Sequence, residues 1–250
     1  MAHTYKRGGC VNYIRGWIFY LTCAVTVIPT ATLIVLAWPF VKREMRYSIA
    51  VGWVRMMLSV LRSLCGVKWK VIGEDNIPED GRLVVLSKHQ SAWETLFLPA
   101  YLKHPMGFVY KESLHWIPFF GWALKSMGMI AINRSEGKSA YQSFLERGTK
   151  FMNSGWWVTL FPEGTRTKAG VRSETYKTGG ARFAIAAGAD ILPVALNSGR
   201  CWPRNSVAKI PGTIMVSFGP VIKTEGKSVH EVNEEVRLWI ENEIERFESV

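Results

Sequence analysis

Hydrophobic and polar positions change period along the chain and divide it into stretches of different character. From Trp17 to Val41 no residue is charged, and about 20 apolar residues in a helix suffice to cross the hydrocarbon layer of a bilayer. Lys6, Arg7 and Arg15 precede this run and Lys42, Arg43 and Arg46 follow it, so the basic flanks do not decide its orientation. Pro29, at the middle, removes a backbone donor and allows a kinked or re-entrant path as well as a span. A cleaved leader fits less well, because the run is too long and no small-x-small cleavage site precedes a polar start. From Tyr47 to Gly66 the pattern is again helical. Arg55 and Arg62 stand seven positions apart, within about 20° of each other around a helix, and share a stripe with Ser48, Gly52, Ser59 and Gly66. Trp53, Val54, Met57, Leu58, Val60 and Leu61 cover the rest. Such a helix either lies in a membrane interface with its arginines toward phosphates or packs on the domain that follows.

Beyond Gly66 the runs shorten. Strands are expected at Val67–Ile72, Leu83–Leu86, Gly107–Tyr110, Met129–Ile132, Trp156–Phe161, Ile191–Leu196 and Ile214–Phe218. Helical patterns fall between them at Ala92–Leu102, Phe119–Met127, Ser139–Met152 and Thr178–Ala187, and Ser139 with Gln142 offers a capping box for the third. A last helix runs from about Ser228 to Phe247, with Val232, Val236, Trp239, Ile240 and Phe247 on its apolar side and glutamates on a face that reads as solvated. Strands alternating with helices predict a three-layer α/β/α domain with parallel strand pairs. The expected organisation is an N-terminal membrane-anchoring helical part over residues 1–66 and one α/β domain over 67–250.

Composition adds two constraints. The formal charge of +11 is uneven: residues 221–250 carry four Lys/Arg against eight Asp/Glu, which leaves +15 on the first 220. A basic body attracts nucleic acid, anionic lipid or a phosphorylated substrate, and charge alone does not choose. The basic residues form no nucleic-acid recognition motif, and an apolar anchor is an odd companion for one. Cys10, Cys23, Cys65 and Cys201 are widely spaced, which indicates neither a disulfide framework nor a zinc site and fits a reducing compartment.

Candidate chemistry concentrates where strands are expected to end. Ser87-Lys88-His89-Gln90-Ser91-Ala92-Trp93-Glu94 follows the run Leu83–Leu86, the position at which α/β folds place active sites. On one continuous helix His89 and Glu94 would point about 140° apart, so they meet only if His89 sits in the turn ahead of a helix and Glu94 in its first turns. Placed so, Glu94 fixes the imidazole tautomer and leaves the other ring nitrogen free as a general base. Against this stands the plainer reading of a turn histidine and a surface ion pair. Phe161-Pro162-Glu163-Gly164-Thr165-Arg166 follows the fifth run, and Gly128-Met129-Ile130-Ala131-Ile132-Asn133-Arg134 ends the fourth. Each supplies an arginine, whose planar fork suits phosphate. Ile191-Leu192-Pro193-Val194-Ala195-Leu196 reads as core.

From Gly73 to Pro220 the ordered blocks resemble the glycerophospholipid acyltransferase family, most closely its bacterial 1-acyl-sn-glycerol-3-phosphate acyltransferases. His89 to Glu94 is similar to the family's His-x-x-x-x-Asp block, Gly128 to Arg134 to its Gly-x-x-x-x-x-Arg block, and Ile191 to Leu196 to its proline-centred block. The Phe-Pro-Glu-Gly-Thr-Arg block stands unaltered at Phe161 to Arg166. Lesser matches are Lys111-Glu112-Ser113-Leu114 with Pro118 and Gly121, and Tyr176-Lys177-Thr178-Gly179-Gly180-Ala181-Arg182. Two departures fall in the first block: Glu94 replaces Asp, and Lys88 stands where Asn often precedes the histidine.

The resemblance implies transfer of a fatty acyl chain from acyl-CoA or acyl-carrier protein to the sn-2 hydroxyl of lysophosphatidic acid. In that scheme His89 is the base and Glu94 its orienter, while Arg134, Arg166 and Lys111 hold the phosphate. Glu163, as a brace for the arginines, supports the site with Gly164 and Thr165. The sequence does not identify the oxyanion stabiliser, for which backbone N–H groups near the first block are the candidates. Neither a metal nor a cofactor is implied: no His-Glu-x-x-His, glycine-rich nucleotide loop or Gly-x-Ser-x-Gly elbow is present. The partners expected are membrane lipid and the two substrates, not nucleic acid. The place expected is the bacterial inner membrane, with the catalytic part on the cytoplasmic side. Another lysolipid acceptor, such as a lyso-ornithine lipid, and a non-catalytic anionic-lipid-binding role are the alternatives.

Overall fold

A computed structural model describes residues 9–133 and 137–248. The first helix, α1 (Cys10–Ala37), continues through Pro29 without a break. At 1.5 Å per residue its 28 residues span about 42 Å. Its buried residues are Gly16, Phe19, Ala31 and Ile34, whereas Trp17, Leu21, Val25, Leu33 and Leu36 are exposed. The second helix, α2 (Arg43–Cys65), stops at Gly66, whose φ of 67° is left-handed and suits glycine. Both helices are long and apolar enough to cross a membrane.

The second helix packs on the domain that follows. Met57, Leu58, Leu61 and Cys65 are buried, and the arginines serve the protein. Arg46 donates to the Ser126 carbonyl at 2.6 Å, Arg55 to the Ala100 carbonyl at 3.3 Å, and Arg62 stands 5.7 Å from the Trp69 ring centre. The first helix is fastened as well. Trp53 Nε1 donates to Thr26 Oγ1 at 2.9 Å, and Phe19 meets Trp202 edge-on at 5.4 Å. A Cβ at Gly16 would lie 2.0 Å from the Val207 carbonyl oxygen, so only glycine permits this approach.

Seven strands follow: β1 (Val67–Ile72), β2 (Leu83–Ser87), β3 (Met106–Lys111), β4 (Ile130–Ile132), β5 (Trp157–Leu160), β6 (Asp190–Leu196) and β7 (Gly212–Phe218). They form one sheet in the order β1-β7-β6-β2-β5-β3-β4. Every pairing is parallel except β6 with β7. Along β2 the period of two divides the side chains cleanly: Val84 and Leu86 join the apolar cluster on one face, and Leu83 and Val85 that on the other. One face is covered by α2 and α3 (Trp93–Tyr101) through Met57, Leu61, Trp93 and Phe97. The opposite face is covered by α5 (Lys138–Asn153), α6 (Gly179–Ala186) and α7 (Val229–Glu248), through Phe144, Phe183, Val236 and Ile240. Each such side chain contributes about 1.5–3 kcal/mol by leaving water. The short α4 (Phe120–Ser126) packs against α1. The fold is the three-layer arrangement expected.

Two details of the sequence reading are corrected. Helix α5 starts at Lys138 with Gly137 as its N-cap and no side-chain capping bond, so Ser139 lies inside the helix rather than ahead of it. The reciprocal cap is found instead on α7, where Ser228 N–H donates to Glu231 Oε2 at 2.7 Å and Glu231 N–H to Ser228 Oγ at 3.3 Å. The glutamate face of α7 is also not simply solvated, since Glu241 and Glu243 are buried.

Candidate active site

Strands β2, β5, β3 and β4 lie side by side and parallel, which brings their carboxyl ends to one edge of the sheet. His89 lies two residues past β2, 161–166 follow β5, Lys111 closes β3, and Asn133 follows β4. Arg134 lies outside the described residues. This topology gathers side chains from distant blocks at one edge, as expected for an open α/β sheet, and the irregular segment 161–178 between β5 and α6 carries several of them.

His89 sits in the turn ahead of α3, and Glu94 is the second residue of that helix. His89 Nδ1 is 2.9 Å from Glu94 Oε1; the imidazole is 17% exposed and the carboxylate fully buried. The extra methylene of glutamate lets the carboxylate fold back over its own turn. Oε1 accepts the N–H groups of Gln90 at 2.6 Å and Ser91 at 2.8 Å. Oε2 accepts the hydroxyls of Ser91 at 2.7 Å and Ser198 at 2.8 Å. Burial alone would push the Glu94 carboxyl up. The hydrogen bond and charge of His89, with the bonds from Ser91, outweigh it and hold the group below the ordinary carboxylate range. The ring of His89 stacks on Phe161, with centroids 4.0 Å apart and planes at 16°.

The segment after β5 grips the histidine from its backbone side. Glu163 Oε2 accepts the His89 N–H at 2.7 Å, and the His89 carbonyl accepts the Thr167 N–H at 2.8 Å. Glu163 Oε1 accepts Lys88 Nζ at 2.8 Å, Thr167 Oγ1 at 2.9 Å and Ser173 Oγ at 3.0 Å. Among the described residues its partners include no arginine, so here Glu163 braces the histidine loop. Burial pushes its carboxyl above the ordinary range, and Lys88 only partly pulls it back. Gly164 has a φ of 72°, and a Cβ there would lie 2.8 Å from Lys177 Cε. Thr165 and Lys111 are exposed, and Arg166 is half-buried. The Arg166 carbonyl accepts Arg204 Nη1 at 2.7 Å.

The N–H groups expected to serve an oxyanion are already engaged. Lys88 N–H donates to the Val194 carbonyl at 2.9 Å, His89 N–H to Glu163, those of Gln90 and Ser91 to Glu94, and Trp93 N–H to Ser91 Oγ at 2.9 Å. Sequence reasoning did not find Ser91, Ser198, Ser173 or Glu241 as members of this constellation. Ser91 lies within the first block and carried some signal; the other three carried none, because they come from elsewhere in the chain. Next to Phe161 an apolar cavity of about 280 Å³ opens between α1, α2, α3, β3 and α4, with Ile34, Val54, Leu96, Phe108 and Met127 in its walls.

The family model described as Acyltransferase matches residues 68–197. A 1-acyl-sn-glycerol-3-phosphate acyltransferase of Pseudomonas aeruginosa is 38% identical over 234 residues, covering 92% of this chain and 90% of that protein. The Escherichia coli enzyme of the same name is 30% identical over 142 residues, 57% of this chain and 58% of that one. The crystal structure of the 1-acyl-sn-glycerophosphate acyltransferase PlsC from Thermotoga maritima superposes with a TM-score of 0.79 at 19% identity, over 96% of this chain and 97% of that one. The likeness to that structure establishes the fold, while the matched residues 68–197 and the Pseudomonas aeruginosa relative establish descent. The chain belongs to the acyltransferase family.

Proposed function

We propose that the chain moves a fatty acyl group from a thioester donor, acyl-CoA or acyl-carrier protein, to the sn-2 hydroxyl of 1-acyl-sn-glycerol-3-phosphate, giving phosphatidic acid. The observation that carries this reading is the 2.9 Å contact of His89 Nδ1 with the buried Glu94. It leaves Nε2 as the basic atom, on the sheet edge where Lys111 and Arg166 emerge.

Nε2 takes the proton of the acceptor hydroxyl as its oxygen bonds to the thioester carbonyl carbon. Glu94 holds the resulting imidazolium, the tetrahedral adduct breaks its C–S bond, and the imidazolium returns the proton to the leaving thiolate. Arg166 and Lys111, with Arg134, hold the acceptor phosphate and so fix the hydroxyl at the imidazole. Glu163, Gly164 and Thr165 shape the turn that carries Arg166. The cavity beside Phe161 takes an acyl chain, since its walls are almost wholly apolar and one of them stacks on His89. Residues 1–66 hold the protein to the membrane, a role that the exposed apolar face of α1 supports, and 67–250 stand on the cytoplasmic side of a bacterial inner membrane.

Purified protein should acylate lysophosphatidic acid, and His89→Ala should lower kcat by about 10²–10⁴-fold while leaving the protein folded. Turnover near that of the parent in His89→Ala would end the base assignment. A panel of lysolipids and both donor types on one preparation defines the acceptor and donor.

A further inference from the structure

Behind the histidine loop lies a buried ion cluster that the reaction scheme does not use. Lys88 is fully buried, and its three ammonium protons meet three acceptors: Glu163 Oε1 at 2.8 Å, Glu241 Oε1 at 2.7 Å and Ser173 Oγ at 3.0 Å. Glu241 comes from α7. Its Oε1 also accepts Tyr176 Oη at 2.7 Å, and its Oε2 accepts the Ser173 N–H at 3.1 Å. Glu163 Oε1 thus faces the cluster, while its Oε2 is committed to the His89 N–H at 2.7 Å. We propose that Lys88 and Glu241 are positioning residues for acyl transfer: acting through Glu163 they fix where the His89 loop stands, and they join α7 to the catalytic apparatus.

Stability alone is a poor reason for such a cluster. Two carboxylates share one lysine away from water, and apolar side chains of similar volume usually stabilise at least as well. What ions and hydroxyls add is direction. Each carboxylate oxygen has a designated donor, and the chain of bonds ends on the backbone of the residue whose imidazole must meet the substrate. A displacement of about 1 Å at such a group can cost on the order of 10²-fold in rate. The cluster carries a formal charge of −1. Lys88→Asn leaves −2, Glu241→Gln leaves 0, and the two together restore −1.

The inference rests on His89 as the base, so the test includes His89→Ala as a control. Full-length protein in detergent micelles is assayed with lysophosphatidic acid and an acyl thioester, with folding followed by thermal unfolding. Glu241→Gln should lower kcat about ten- to a hundredfold and leave both KM values within about twofold, the pattern of an interaction lost only in the transition state. Lys88→Asn should lose more, and adding Glu241→Gln to it should recover at least about tenfold, a coupling that independent sites do not show. An unchanged kcat in Glu241→Gln, or a double variant no faster than Lys88→Asn, overturns the proposal. If Lys88→Asn does not fold, Glu241→Asp decides: kcat above that of Glu241→Gln supports the proposal and equal kcat overturns it. Activity in His89→Ala would instead remove the base reading, whereas an inactive His89→Ala beside a fully active Glu241→Gln removes only this inference.

Discussion

Two buried carboxylates hold the histidine loop, and their surroundings shift their acidity in opposite directions. Among the described residues Glu94 has no lysine or arginine partner; it meets the imidazole, two backbone N–H groups and two hydroxyls, and it is held below the ordinary carboxylate range. Glu163 touches Lys88 directly and is nevertheless pushed above that range by burial. A lysine partner is therefore not enough to hold a carboxyl low, whereas the hydrogen bond and charge of His89, with the bonds from Ser91, do so at Glu94. Glu94 has a full set of donors to itself, whereas the lysine beside Glu163 is divided with Glu241. The first arrangement suits a carboxylate that must stay charged beside a base. The second suits a rigid strut.

The comparison can be broken at several places. Glu94→Gln should cost the most, about 10²–10⁴-fold in kcat, because the amide can no longer fix the tautomer or stabilise the imidazolium. Glu94→Asp, the family's usual residue, should retain clearly more activity than Glu94→Gln, and equal losses would refute the orienting role. Glu163→Gln keeps an oxygen for the His89 N–H and should lose only about tenfold, the scale of one weakened charge-assisted hydrogen bond. A loss as large as that of Glu94→Gln would erase the distinction between orienter and strut. Ser198→Ala removes one of the hydroxyls from Glu94 and should slow turnover roughly three- to tenfold, read from single-turnover rates.

The smallest effects are on stability, and they differ in sign. A carboxyl whose folded pKa lies below its unfolded value adds stability that is present above the unfolded value and lost as pH falls through the folded one. Glu94 is of this kind, so Glu94→Gln should flatten the acid limb. The folded form of Glu163 binds its proton more readily than the unfolded chain does. Its contribution thus falls as pH rises from the ordinary glutamate value through the raised one, and Glu163→Gln should remove that fall. Unfolding midpoints between about pH 3.5 and 7.5 measure both slopes, and slopes of the same sign would contradict the assignment.

How much of this the sequence revealed follows from distance along the chain. The strands and helices were legible because each carries its own period, and the His89–Glu94 contact was legible because a turn and the start of a helix are local. The brace was not. Lys88 and Glu241 are 153 positions apart, and on α7 a buried glutamate beside exposed ones looks like any solvated stripe. Ser198 is likewise 104 positions from Glu94. Capping misled in a similar way: Ser139 with Gln142 has the right residues, but the chain enters α5 at Gly137 instead.

The seating of α1 has a further consequence. With Gly16 pressed on Val207, Phe19 edge-on to Trp202, and Lys209 Nζ 4.2 Å from the Tyr20 ring centre, that helix is not a tether on which the domain swings. Whatever depth α1 takes in a lipid sheet, the imidazole takes with it. Encounter with a lipid acceptor then becomes diffusion in two dimensions, and turnover should follow the mole fraction of acceptor in the surface rather than its concentration in bulk water.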